Sequence, residues 1–156
     1  MDKKKRKNMI AIDSNILIYY LDPTLKEHKY VIDYVEEIIR REEILTSTVI
    51  WLEVSHYLYR VSPISKEKPE NSLRKLIRLS SMYVMDFDVE LFFETVKILG
   101  ELSGRNISIG GRDSSIVAMM RRLNVNTIVT HDRDFKKLED KGMIQVLDPI
   151  LLSKNL

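Results

Sequence analysis

Short apolar runs alternate along this chain with longer segments in which apolar residues recur every three or four positions. The runs Met9–Ile12, Glu43–Ser47, Met82–Phe87, Thr127–Thr130 and Ile144–Leu147 read as strands bounded by polar residues. Residues 27–42 place Val31, Tyr34, Val35, Ile38 and Ile39 on one face, the period of an amphipathic helix. Further helices are expected in SNILIYYL after Asp13, over Thr48–Tyr59, from about Ser72 to Leu79, in VELFFETVKILGELSG and over Asp113–Leu123. Asn71 or Ser72 and Asp88 suit N-caps, and Gly104 suits a C-terminal stop. Pro63 and Pro69 bracket a polar loop, RNISIGG reads as another, and HDRDFKKLEDKG separates the last two strands.

Strands joined through helices need crossover connections, which produce parallel pairing covered on both faces. The expected fold class is α/β: a three-layer α/β/α sandwich around a central, mostly parallel sheet of about five strands. No repeat or low-complexity segment interrupts the pattern, so a single domain is expected over residues 9–156, behind a basic leader at 1–8.

Composition narrows the class. With 156 residues and 44% hydrophobic content the chain has material for one real core. It has no cysteine, which removes disulfides and thiolate metal sites and fits a cytoplasmic location. No apolar run approaches the ~20 residues of a membrane span. The net charge of +2 conceals an asymmetry: residues 2–8 carry +4, leaving the rest at −2. The basic run reads either as a solvated leader or as an arm that adds salt-sensitive affinity for phosphate backbones.

Four acids stand where elements begin or end: Asp13 in IAIDSNIL, Glu53 in IWLEVS, Asp113 in GGRDSSIVA and Asp132 in IVTHDRDF. Taken singly, Asp13 and Asp113 suit N-caps and Asp132 an Asx turn. Glu53 lies in a mostly apolar helix with no Lys or Arg three or four positions away, so burial would demand a partner from elsewhere. In a parallel sheet, groups that follow strands collect at the carboxyl edge. Asp13, Asp113 and Asp132 are expected there, with Glu53 in reach, and clustered carboxylates are most simply stabilised by a divalent cation. Oxygen-only ligands suit Mg²⁺. The scattered His28, His56 and His131 and the lack of cysteine argue against zinc.

The ordered set IDSNIL, WLEVS, RDSSIVA and IVTHDRDF resembles the PIN-domain family, over residues 9 to about 150. By size it is most similar to the VapC-type toxin ribonucleases. The resemblance implies Mg²⁺- or Mn²⁺-dependent endonucleolytic cleavage of single-stranded RNA, a homodimer, and a small antitoxin that masks the cleft. It implies Asp13, Glu53, Asp113 and Asp132 as catalytic and metal-binding residues, with Asn15, Thr130 and Asp134 as auxiliaries. His131 departs from the small polar residue common at that place in the family, and the leader and the Pro-bracketed loop are additions to a minimal domain.

Other functions remain open at this level. An RNA-processing or ribosome-biogenesis nuclease shares the same site, as would a non-catalytic RNA-binding module. A phosphatase of the haloacid-dehalogenase type wants an aspartate where Asn15 stands. Substrate phosphates need cations, for which Arg105, Arg112 and Arg133 are candidates, with Lys66 and Lys68 on the Pro-bracketed loop. Arg112 and Arg133 adjoin site acids, so each serves either phosphate or a local ion pair.

Overall fold

A computed structural model describes residues 8–155 of the chain. The basic run at residues 2–8 falls almost entirely outside the described residues. Five strands, β1 (Met9–Ile12), β2 (Glu43–Ser47), β3 (Met82–Met85), β4 (Thr127–Val129) and β5 (Gln145–Leu147), form one sheet in the order β3-β2-β1-β4-β5. Every pairing is parallel. Among the described residues the eight α-helices are α1 (Ser14–Leu21), α2 (His28–Arg41), α3 (Thr48–Arg60), α4 (Glu70–Ile77), α5 (Val89–Gly104), α6 (Gly111–Arg122), α7 (Arg133–Asp140) and α8 (Pro149–Lys154).

The chain moves outward from β1 to β3, then crosses back to β4 on the other side of β1. Right-handed crossovers therefore put α1 to α4 on one face and α5 to α7 on the other. Packing agrees: α1 lies on α2 and α3, α2 on α8, and α5 on α6. The sheet core is nearly continuous apolar sequence, with Ala11, Ile12, Ile44, Leu45, Ile128 and Val129 almost wholly buried. β1 and β4 flank the point where strand order reverses, the place where ligands of open α/β sheets bind.

Several boundaries differ from expectation, each for a local reason. Asp113 does not cap α6: Gly110 takes that position, and Asp113 lies within the first turn. Helix α4 starts at Glu70, with Pro69 before it, rather than near Ser72. The loop after Pro63 contains a 3-10 turn over Pro63–Glu67, opened by the Ser62 side chain accepting from the Ile64 amide. β3 stops at Met85, and beyond it the Phe87 amide donates to the Thr48 side chain, Oγ1. Helix α5 does end at Gly104, but the left-handed residue that turns the chain is Asn106, at φ 57°. Helices α7 and α8 were not expected; Asp132 and Asp148 cap them through their side chains. Among the described residues, no helix is long and apolar enough to cross a membrane.

Candidate metal centre at the carboxyl edge of the sheet

Strand register fixes the first part of the site. Ile12 pairs with Val129, so Asp13 and Thr130 stand level, one residue beyond their strands. Both are fully buried. The Asp13 amide donates to the Val129 carbonyl at 3.0 Å, which anchors the backbone. The Thr130 hydroxyl donates to Asp13 Oδ2 at 2.8 Å and accepts from the Asp132 amide at 3.0 Å and from Asn15 Nδ2 at 3.4 Å. One hydroxyl thereby links three of the residues that the sequence marked. Asp13 Oδ1 accepts from the Ser14 amide at 2.7 Å, confirming its capping role at α1.

The other acids arrive from three further elements and meet on one side chain. Glu53 projects from the second turn of α3, which begins directly after β2. Asp113 enters from the first turn of α6, and Asp132 caps α7 after β4. Arg112 reaches into their midst. Its Nη1 lies 2.7 Å from Glu53 Oε2, 3.1 Å from Asp13 Oδ1 and 2.9 Å from Ser14 Oγ. Its Nη2 lies 2.5 Å from Asp113 Oδ1 and 3.7 Å from Asp132 Oδ2. The structure thus gathers the whole quartet around one guanidinium. The partner that Glu53 required comes from 59 positions away.

Burial and mutual repulsion leave the carboxyls perturbed. Burial pushes the Asp113 carboxyl up to about 6; Arg112 opposes this, while Asp13 and Asp132 reinforce it. Burial also raises Asp13, against the pull of Arg112 and the Thr130 hydrogen bond. The Arg112 guanidinium is itself held more firmly protonated, its burial outweighed by Asp13, Glu53 and Asp113.

The donor set fits a hard divalent cation. Asp113, Asp132 and Asp134 each offer a carboxylate oxygen, all within 4.8 Å of one another. Oxygens at ~2.1 Å from one octahedral Mg²⁺ stand about 3 to 4 Å apart, so the three carboxylates would draw closer to share one ion. Asp134, expected only as an auxiliary, therefore stands among the candidate ligands, although Lys137 Nζ lies 2.6 Å away. The Asn15 Oδ1 is buried without a hydrogen-bond partner, as is Ser114 Oγ, so polar capacity is left over beside the acids.

The remaining candidate cations separate. Arg112 belongs to the centre. Arg133 is exposed at the start of α7 and forms no ion pair among the described residues. Arg105 follows α5, near enough to Glu101 to help lower that carboxyl, whose main partner is Arg121. Lys66 and Lys68 are exposed on and just after the 3-10 turn.

Sequence reasoning missed a second polar cluster. Asp148 Oδ2 accepts from Lys136 Nζ at 2.8 Å and lies 2.8 Å from His131 Nδ1. Burial raises the Asp148 carboxyl, but Lys136 and His131 outweigh it and the net direction is down. His131, adjacent to Asp132, is thus tied to the cap of α8. The Asp148-Pro149 pair was the available signal, since Asp at an N-cap and Pro at the first position mark a helix start.

Comparison with known proteins bears on the fold. No curated protein matches the chain by sequence. Among solved structures, VapBC2 from Rickettsia felis bound to a promoter DNA fragment aligns at 18% identity and TM-score 0.66, over 90% of this chain and 98% of that one. VapC20 of Mycobacterium tuberculosis, a sarcin-ricin loop cleaving toxin, aligns at 14% identity and TM-score 0.66, over 88% and 98%. FitAcB from Neisseria gonorrhoeae aligns at 18% identity and TM-score 0.64, over 90% and 98%. At such identities these likenesses establish a shared fold. The family model for the PIN domain matches residues 10–141, which include all four acids and Arg112. The chain belongs to the PIN-domain family.

Proposed function

We propose that this protein is a divalent-metal-dependent endoribonuclease that hydrolyses single-stranded RNA and serves as the toxin of a toxin–antitoxin pair. The observation that carries the reading is the convergence of Asp13, Glu53, Asp113 and Asp132 on one point at the carboxyl edge of the sheet. Four carboxylates from four elements outnumber the one guanidinium between them, and such surplus charge concentrates at functional sites.

Asp113, Asp132 and Asp134 would hold the ion, with Asp13 beside them. Mg²⁺ or Mn²⁺ there would supply Lewis-acid stabilisation of the charge that develops in an in-line displacement at phosphorus. Thr130 keeps Asp13 in a single orientation, and Asn15 steadies Thr130. Glu53 is the most exposed member, its side chain 38% accessible and only Oε2 engaged, which suits it to orient the attacking water. Exposed Arg133 stands next to Asp132, where it can meet an RNA phosphate.

Likeness to VapC-type toxins also suggests a homodimer and a small antitoxin. Supporting the dimer, Val89, Phe92, Phe93 and Val96 form an exposed apolar stripe on α5, opposite the buried Leu91, Thr95, Ile98 and Leu102. The direct test is incubation of the purified protein with end-labelled single-stranded RNA. Cleavage in Mg²⁺ or Mn²⁺ to 5′-phosphate products, abolished by EDTA and restored by excess metal, is expected; undiminished cleavage in chelator would refute the mechanism.

A further inference from the structure

Arg112 is in an unusual place for a cation. It sits in the first turn of α6, where the helix dipole disfavours positive charge. Its side chain is 28% exposed, so much of its hydration is lost. Both costs are met by the four carboxylates, and the guanidinium divides them. Nη1 closes the half formed by Asp13, Ser14 and Glu53, while Nη2 holds Asp113 and faces Asp132. The only metal-sized acid group among the described residues is Asp113, Asp132 and Asp134, on the Nη2 side. Asp13 and Glu53, the acids on Nη1, are not part of it.

We propose that Arg112 is a resident counter-ion that keeps the quartet assembled without metal and competes with the divalent cation for the same oxygens. The inference rests on the metal-dependent reading above and adds a regulatory element to it. The hydrogen bond from Nη2 occupies Asp113 Oδ1, so an ion that takes that oxygen, or both oxygens of Asp113, must loosen the bond. Recruitment of Asp13 Oδ1 or Glu53 Oε2 requires Nη1 to leave as well. Metal affinity is therefore set below the intrinsic affinity of the carboxylates. The site stays preformed, because the guanidinium fork matches carboxylates from different elements at once. A lysine would place one compact charge there and could not bridge both halves.

The test is direct binding of Mn²⁺, followed by the electron paramagnetic resonance signal of the free ion, in the wild-type chain and in Arg112→Gln and Arg112→Lys. The expected result is tenfold or greater tightening in Arg112→Gln and a smaller gain in Arg112→Lys. Without metal, Arg112→Gln should melt below the wild type, and saturating Mn²⁺ should narrow or reverse that gap. Millimolar guanidinium, which can refill the vacated position, should raise the melting temperature of metal-free Arg112→Gln and weaken its Mn²⁺ binding. If Arg112→Gln does not fold, Arg112→Lys carries the comparison. Unchanged or weaker Mn²⁺ binding in the variants, with the wild type binding normally, would overturn the counter-ion role and leave the nuclease reading intact. Absence of Mn²⁺ binding in every form would overturn both.

Discussion

Thr130 donates a 2.8 Å hydrogen bond to Asp13 across 117 positions of sequence, joining the ends of the two strands that flank the switch point of the sheet. The same hydroxyl accepts from the Asp132 amide and from Asn15. Thr130→Val keeps the shape but strands these partners in a buried site. Each lost buried bond costs roughly 1–3 kcal/mol, so the variant should be at least that much less stable in denaturant titration. RNA cleavage should fall with it, and Thr130→Ser should restore most of both. Equal stability of the valine variant would show that the hydroxyl does not organise the site.

Asp113 connects stability to pH. Its carboxyl titrates near 6 in the fold, against an ordinary value of 3.8, so the metal-free fold binds its proton more tightly than the unfolded chain does. This contribution is favourable below the unfolded value and is lost as pH rises from about 4 through about 6. That displacement corresponds to roughly 3 kcal/mol, as an order of magnitude. Asp22 and Asp148 act in the opposite sense: burial raises each, but their hydrogen bonds win and lower them. Their support is present at neutral pH and fades as pH falls through their depressed values. Melting curves without metal should therefore pass through a maximum in mildly acidic solution, and Mg²⁺ should lift the neutral side selectively. Superimposable pH profiles with and without Mg²⁺ would contradict a clustered, metal-binding set of acids.

Asp113→Asn removes a carboxylate that burial and its acidic neighbours disfavour. At neutral pH and without metal, the variant should melt at or above the wild-type temperature. Mg²⁺-induced stabilisation should shrink in the same variant, because one ligand is gone. A large drop in metal-free melting temperature would mean that the Arg112 contact outweighs the repulsion.

The apolar stripe on α5 predicts self-association. Phe93 is 60% exposed and packs edge-on against Phe92 at 5.5 Å between ring centroids. Phe93→Glu should shift sedimentation from dimer to monomer with little change in unfolding midpoint of the dilute protein. A wild-type chain that sediments as a monomer at tens of micromolar would remove the dimer from the account.

Strands were the most legible part of the fold, because β1 is an unbroken apolar run and β2 and β4 each centre on a buried apolar pair, as both faces of a parallel sheet demand. The acids were legible as candidates because Asp13, Asp113 and Asp132 stand at element boundaries and Glu53 lies in a mostly apolar helix. Helix α8 is six residues long, too short to show a period, and α7 begins inside the acidic motif, where turn signals dominate. Asn106 rather than Gly104 turns the chain after α5, a choice that composition does not separate, since both residues tolerate left-handed backbone. The central position of Arg112 was not legible. Sequence placed it beside Asp113, but only the register of β1, β2 and β4 brings Asp13, Glu53 and Asp132 to the same guanidinium.

The quartet itself is tested most directly by cleavage of one labelled single-stranded RNA in Mn²⁺ by the wild type, Asp13→Asn, Glu53→Gln, Asp113→Asn and Asp132→Asn, each checked for a native melting transition. Loss of several kcal/mol of transition-state stabilisation corresponds to roughly a thousandfold or more in rate. The account predicts a fall of that order for Asp113→Asn and Asp132→Asn, and clear losses for the other two. Near wild-type cleavage by folded Asp113→Asn would contradict it.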